Sequence, residues 1–386
     1  YYIAYGDQNL HRKENTEQAN CYMTMYVTLG ENAAADGCFP HRTEDYIVLK
    51  SLAEEYHLAM AYYYLGCLLY DRRVYDESIE DYEESILRSP DFPTVHRNLA
   101  LAYYNVKKLP QRAYEEMEKA FALDETDARV YLELDQLKKR LNVAVKERWS
   151  DMEKHFDLVE SRDDLYLEYV TLLNTLGEPE KALGLIKARK FHQWEGGEGK
   201  VAAQYLTALY QLAKAAVEKE DYAEAKELLL RAVGEYPHNL GEGKLESGQE
   251  NNLYYLLGLV QEKLGEAKDA FESLTRACCG ESEPVGMMYY NDQPPEMIYY
   301  QGLAYRMLGE EEQAVRRFQK LVDYGREHIR DDVKIDYFAV SLPDLLIFEE
   351  NLNERNRKHC LFMMSLGLKG LGRIDEAEKC RQHGYF

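Results

Sequence analysis

Two copies of the tetrapeptide Gly-Glu-Gly-Lys are the strongest suggestion of chemistry in this chain, at residues 197–200 and 241–244. Glycine-rich loops that end in lysine bind phosphate in the Walker A motif, which also needs a glycine five residues before the last glycine and a Ser or Thr after the lysine. Other residues hold those places in the two copies: Trp194, His238, Val201 and Leu245. No strand pattern precedes either copy, so we exclude a phosphate loop.

Carboxylates are the other candidates for chemistry, because a pair of them at the right distance can hydrolyse a glycosidic bond. Four acids near the glycine-rich segments could contribute to such a pair: Glu198, Glu242, Asp292 and Asp336. Loose carboxylates in an acidic protein are usually solvated, and the ten histidines show neither an HExxH motif nor paired metal-ligand spacing. We therefore predict a non-catalytic protein with no cofactor and no metal.

Charge and cysteine usage restrict the partners and the compartment. A net charge of −22 excludes nucleic acid and anionic membranes as partners, because these need clustered Lys and Arg. It fits a solvated acidic exterior or an acidic groove for basic peptides. The seven cysteines are odd in number and lack CxxC spacing, which predicts reduced thiols in the cytoplasm. No apolar run is long enough for a membrane span.

The elements that must position these residues follow a repeat of about 34 to 45 residues. Each copy has a large aromatic or aliphatic residue, a small residue four positions later, and a second helical stretch that carries another small residue. One copy contains Tyr62 and Gly66, and another contains Ile298 and Gly302. Helical periodicity in both stretches predicts stacked two-helix units, in which small residues let two helices approach closely.

These positions resemble the tetratricopeptide repeat (TPR), with seven good matches over residues 60–380. The resemblance implies an all-α, right-handed superhelical solenoid of antiparallel helix pairs, with about seven to eight repeats and insertions between them. It also implies a concave face that binds peptides or partner proteins. We expect an N-terminal segment (1–58), repeats of short period (59–190) and repeats with long insertions (191–386).

A narrower likeness covers nearly the whole chain. It is carried by the stretches FHQWEGGEGK at 191–200, YYNDQPP at 289–295 and KIDYFAVSLPD at 334–344. They resemble the C-terminal half of large bacterial proteins that have a β-rich N-terminal domain of unknown function, similar to those of carbohydrate-active enzymes. This resemblance, together with a first residue other than Met, leads us to expect a piece of a longer polypeptide in a sugar-related setting.

The insertions gather polar and aromatic residues at similar offsets from the first helix of successive units, which predicts that they share one rim of the solenoid. Three interpretations remain open: the segments brace one another, they dock a partner protein or the missing N-terminal domain, or they contribute to a glycan site. The candidate binding residues are Trp194, Glu195, Glu198, Lys200, Asn239, Glu242, Lys244, Tyr289, Tyr290, Asn291, Asp292, Gln293, Asp336 and Tyr337.

Overall fold

The computed structural model describes residues 27–28, 39–194, 196–244, 249–286, 292–334 and 347–384. All regular secondary structure within these ranges is helical, which confirms the all-α prediction. Among the helices of the described ranges, none combines the length and the apolar character that a membrane crossing requires.

Packing divides the chain into two units, Tyr1–Ala144 with Ile347–Glu349, and Val145–Leu346 with Glu350–Phe386. The described helices of the first unit are α1 (Thr43–Glu54), α2 (Ala59–Asp71), α3 (Tyr75–Arg88), α4 (Pro93–Asn105), α5 (Pro110–Leu123) and α6 (Ala128–Arg140). The described helices of the second unit are α7 (Val145–Lys154), α8 (Phe156–Ser161), α9 (Asp163–Thr175), α10 (Pro179–Ala188), α11 (Lys200–Glu218), α12 (Tyr222–Val233), α13 (Asn251–Lys263), α14 (Ala267–Ala277), α15 (Pro295–Met307), α16 (Glu311–His328), α17 (Leu352–Gly370) and α18 (Ile374–Gly384). The division of the chain at residues 58 and 190 stays a prediction.

Within each unit the helices form stacked pairs. In the first unit each helix from α1 to α6 packs against the next. In the second unit each of α9 to α18 packs against the next, and the first helices of successive pairs, such as α13 and α15, also contact each other. This is the arrangement of a solenoid, in which each pair buries its apolar face against its neighbours.

Close crossings within the pairs depend on glycine at the predicted small positions. A Cβ atom added to Gly66 would lie 2.7 Å from the Tyr82 ring, and one added to Gly302 would lie 2.4 Å from the Phe318 ring. Gly258 has the same relation to Leu274, also sixteen residues later. In each pair the glycine on the first helix leaves room for a large side chain from the second. The predicted register is therefore confirmed at these crossings.

A left-handed residue makes the tight turn between the two helices of a pair. Gly265 and Gly309 hold this position with φ values of 78° and 82°. Arg73 and Glu220 occupy comparable turns with φ values of 62° and 61°. Because a side chain at positive φ is unfavourable, glycine is the better choice there. The turn geometry is therefore a property of the stack and not of glycine alone.

Candidate functional site

The stretch that follows α10 is anchored to the stretch that precedes α13. Phe191 is buried, and its backbone N–H donates to the carbonyl of Asn239 over 2.9 Å. The side-chain amide of Asn239 donates to the carbonyls of Ile186 (2.8 Å) and Arg189 (2.9 Å) at the end of α10. These bonds satisfy carbonyls that the end of a helix would otherwise leave without a partner. Two loops separated by a whole helix pair are thereby joined.

Glu242 joins the two Gly-Glu-Gly-Lys segments directly. Its carboxylate accepts the backbone N–H of Gly199 over 2.8 Å and that of Ala202 over 3.2 Å. Gly199 is the residue before α11 and has no side chain with which to cap the helix, so the acid of the second segment caps it instead. The negative charge also suits the positive end of the helix dipole.

Two glycines shape the surface above this junction. Gly241 has a φ of 80°, and a Cβ atom added there would lie 2.9 Å from the carbonyl oxygen of Phe191. A Cβ atom added to Gly197 would lie 2.2 Å from the indole of Trp194. The indole therefore rests directly on the glycine backbone, in a space that any larger residue would occupy.

A cleft of about 340 Å³, called here the indole cleft, opens at the junction. Its residues come from both segments and from the first turn of α11: His192, Gln193, Trp194, Gly197, Glu198, Val201, Leu240, Gly241 and Glu242. Val201 and Leu240 are buried and form the apolar part of its lining, while Glu198 is exposed. The cleft thus combines an aromatic ring, an apolar surface and two carboxylates.

Charged groups beside the cleft fix its edges. Asp163 accepts the backbone N–H of His192 over 2.8 Å and pairs with Arg189 over 2.6 Å. Burial alone would raise the pKa of Asp163, but these hydrogen bonds and the nearby guanidinium hold that pKa below its ordinary value. The carboxylate therefore stays ionised and keeps the first segment attached to the start of α9.

The side chain of Lys244 bonds to groups close to it in the sequence, at the end of α12 and just before α13. Its ammonium donates to the carbonyl of Val233 over 2.6 Å and pairs with the buried carboxylate of Glu250 over 2.7 Å. Tyr236 donates to the same carboxylate over 3.4 Å. Burial raises the pKa of Glu250, and Lys244 partly opposes that rise. Lys244, which ends the second tetrapeptide, therefore stabilises the loop between α12 and α13.

The remaining predicted residues have other surroundings or lie outside the described ranges. Asp292 acts electrostatically on Tyr324 of α16 and His359 of α17, and Gln293 is buried before α15. The described contacts join the two glycine-rich segments, and a place for the stretch at 289–295 beside them stays a prediction. Lys200 begins α11 at the surface. The predicted residues outside the described part are Glu195, Tyr289, Tyr290, Asn291, Asp336 and Tyr337.

Sequence reasoning missed two features of this region. The apolar lining and the partner of His192 were not predicted, because only the fold brings Val201 and Leu240 to the same cleft and places Asp163 beside the first segment. A row of tyrosines on α11, α13 and α15 was also missed. Its members recur every 45 residues at positions 210, 255 and 300, and the hydroxyls of the first and last lie 2.8 Å apart. That equal spacing was the available signal.

Family models described as tetratricopeptide repeat match residues 63–128, 210–284 and 296–324. A tetratricopeptide repeat protein from Parabacteroides merdae is 12% identical, with 72% of this chain and 92% of that chain covered and a TM-score of 0.36. The C-terminal part of a TPR repeat-containing protein from Cytophaga hutchinsonii is 15% identical, with 67% and 93% covered and a TM-score of 0.37. YrrB, described as a TPR protein with an unusual peptide-binding site, is 19% identical, with 65% and 95% covered and a TM-score of 0.24.

Proposed function

Because this chain contains tetratricopeptide repeats, we propose that it is a non-catalytic interaction module that docks a partner protein, or a further domain of its own polypeptide, through the indole cleft. A scaffold role is typical of such repeats, since stacked helix pairs present an extended surface to a partner. A cytoplasmic location is part of the same proposal.

One observation carries the choice of surface. Glu242 caps α11 from the neighbouring segment, so the walls of the cleft are held by hydrogen bonds before any partner arrives. A preorganised site loses little conformational entropy on binding. Trp194 stands in this fixed wall, and tryptophan is among the residues that contribute most to binding energy at protein interfaces.

The bracing interpretation and the docking proposal are compatible, because Glu242 is the one group named here that serves both. Asn239, Glu242 and Lys244 are hydrogen-bonded within the chain. Trp194 and Glu198 instead line the cleft. Bracing therefore builds the surface, and the residues that line the cleft are those we assign to the partner.

The test is a selection of random peptides displayed on phage against the whole chain. Selected peptides are then measured by calorimetry against the wild type, Trp194→Ala, and Glu227→Ala on the exposed face of α12 as the control. We expect micromolar binding that Trp194→Ala weakens by about tenfold or more, and that the control leaves unchanged. Adding a further domain of the same polypeptide, as a separate chain, tests the intramolecular form of the proposal.

Peptides that bind Trp194→Ala as tightly as the wild type would refute the cleft as the docking surface. A selection that enriches no binding peptide, together with no association of a further domain of the same polypeptide, would refute the interaction role itself. Circular dichroism of Trp194→Ala excludes general unfolding as the cause of any loss.

The glycan hypothesis loses two of its assigned hydrogen-bonding groups, because Asn239 and Lys244 already bond within the chain. The same protein screened with a panel of mono- and oligosaccharides in a thermal-shift assay should therefore show no stabilisation. A sugar that raises the melting temperature in the wild type, but not in Trp194→Ala, would favour the glycan site over protein docking.

A further inference from the structure

The indole cleft has the walls that a long side chain with a cationic end requires. Val201 and Leu240 form the buried apolar base of the cleft, and Trp194 lines it with an aromatic ring. Cations are attracted to the face of an aromatic ring, most strongly to that of tryptophan. Arginine combines a three-carbon stem with a planar guanidinium that stacks on aromatic rings.

The charges that line the cleft are negative. Glu198 and Glu242 contribute two carboxylates, and the imidazole of His192 is directed to Asp163, with Nδ1 and Oδ2 3.1 Å apart. The partial positive charge at the start of α11 is already paired, because Glu242 accepts the N–H groups of Gly199 and Ala202. These bonds use two of the roughly four acceptor positions of that carboxylate.

The size of the cleft also limits what it can hold. Its volume of about 340 Å³ is near the lower end of the range of small-molecule pockets, about 300–1,000 Å³. Such a space accepts one side chain and its immediate backbone. The charge of the chain, −22, favours approach of a basic segment from any direction.

We infer that the indole cleft receives an arginine side chain of the docked partner, stacked on Trp194 and paired with Glu198 and Glu242. This inference rests on the proposed docking function and specifies the chemistry of the partner. An acidic or phosphorylated segment would meet two carboxylates in the same place and would be repelled.

The experiment uses the whole chain labelled with 5-fluorotryptophan and followed by fluorine NMR. The chain has two tryptophans, so Trp149→Phe identifies the Trp194 resonance and Trp149 serves as an internal control. The probes are acetyl-Gly-Arg-Gly-amide and the same peptide with citrulline, which is nearly identical in shape but uncharged. We expect the arginine peptide to shift the Trp194 resonance saturably, and the citrulline peptide to bind on the order of tenfold more weakly.

A pair of charge-matched variants separates the cleft from the general acidity of the protein. Glu198→Gln should weaken the arginine peptide by about threefold to fivefold, because a partly exposed ion pair contributes little more. Glu227→Gln removes the same charge from the exposed face of α12 and should leave the binding unchanged. Melting curves of both variants verify that the fold is retained.

Equal binding of the arginine and citrulline peptides, or equal effects of the two Gln variants, would overturn the inference. No shift of the Trp194 resonance with either peptide would overturn it too. These outcomes differ from failure of the docking function, which requires that no selected peptide or domain depends on Trp194. A Trp194-dependent partner that lacks a needed arginine would leave the function standing and remove the inference alone.

Discussion

Gly302→Ala should destabilise the second unit, although the same change usually strengthens a helix. A Cβ atom at this position would lie 2.4 Å from Cε1 of Phe318, whereas carbon atoms normally approach to about 3.5 Å, so the ring would have to retreat by about 1 Å. The ring has no room to do so. Phe318 is fully buried, and on α17 a Cβ atom at Gly370 would lie 2.2 Å from the same ring.

The matched control is Gly184→Ala on α10, where the glycine is exposed and an added Cβ atom meets nothing within 4 Å. Both changes gain about 0.5–1 kcal/mol of helix propensity, so the difference between them isolates the overpacking. Overpacking a close crossing costs about 1–3 kcal/mol. We therefore expect Gly302→Ala to be less stable than Gly184→Ala by that amount, and Gly302→Leu to be worse.

Thermal unfolding followed by circular dichroism measures the effect. For a unit of this size, 1 kcal/mol corresponds to about 2–4 °C, so the two alanine variants should melt about 2–12 °C apart. Hydrogen exchange should show the loss of protection concentrated in α15, α16 and α17. Phe318→Leu in the Gly302→Ala background should recover part of the loss, since a smaller side chain relieves the clash.

Equal melting temperatures for Gly302→Ala and Gly184→Ala would refute the reasoning. A loss in Gly302→Ala that Phe318→Leu fails to reduce would also refute it, because the cost would then arise elsewhere than at the ring.

Two further predictions concern a cap and a pH dependence. Glu242→Ala should lower the free energy of unfolding by about 0.5–2 kcal/mol, because the N–H groups of Gly199 and Ala202 lose their acceptor. The control Glu227→Ala should lower it little. Urea unfolding measures both changes, and hydrogen exchange at the start of α11 locates the loss. The pKa of Asp81 is raised from its ordinary value of 3.8 to about 7, mainly by burial and then by the neighbouring Glu80. Ionisation of Asp81 therefore destabilises the fold, and the free energy of unfolding falls as pH rises between those two values. Asp81→Asn should therefore melt higher than the wild type at pH 8 by more than it does at pH 5; a difference that does not change with pH would contradict this.

The helical register of this chain can be predicted from the local spacing of its residues. Small residues and large ones recur at helical intervals, and the sixteen-residue distance from Gly66 to Tyr82 recurs from Gly302 to Phe318. Such a pattern can be read from sequence because each repeat contacts mainly its neighbours, so nearby residues carry most of the packing information. The equal offset of the two Gly-Glu-Gly-Lys segments likewise predicted two loops at matching places in adjacent helix pairs.

The use of each polar side chain was decided only by the tertiary structure. Glu198 and Glu242 occupy the same place in identical tetrapeptides, so the tetrapeptide sequence does not distinguish them. Glu198 lines a cleft, whereas Glu242 caps the first helix of the neighbouring helix pair. Stacking gives the second copy a helix end to cap and leaves the first copy beside an indole. A hydrogen bond requires the donor and acceptor atoms to be placed within a few tenths of an ångström of the right distance. A repeat pattern does not encode such placement for residues more than forty positions apart.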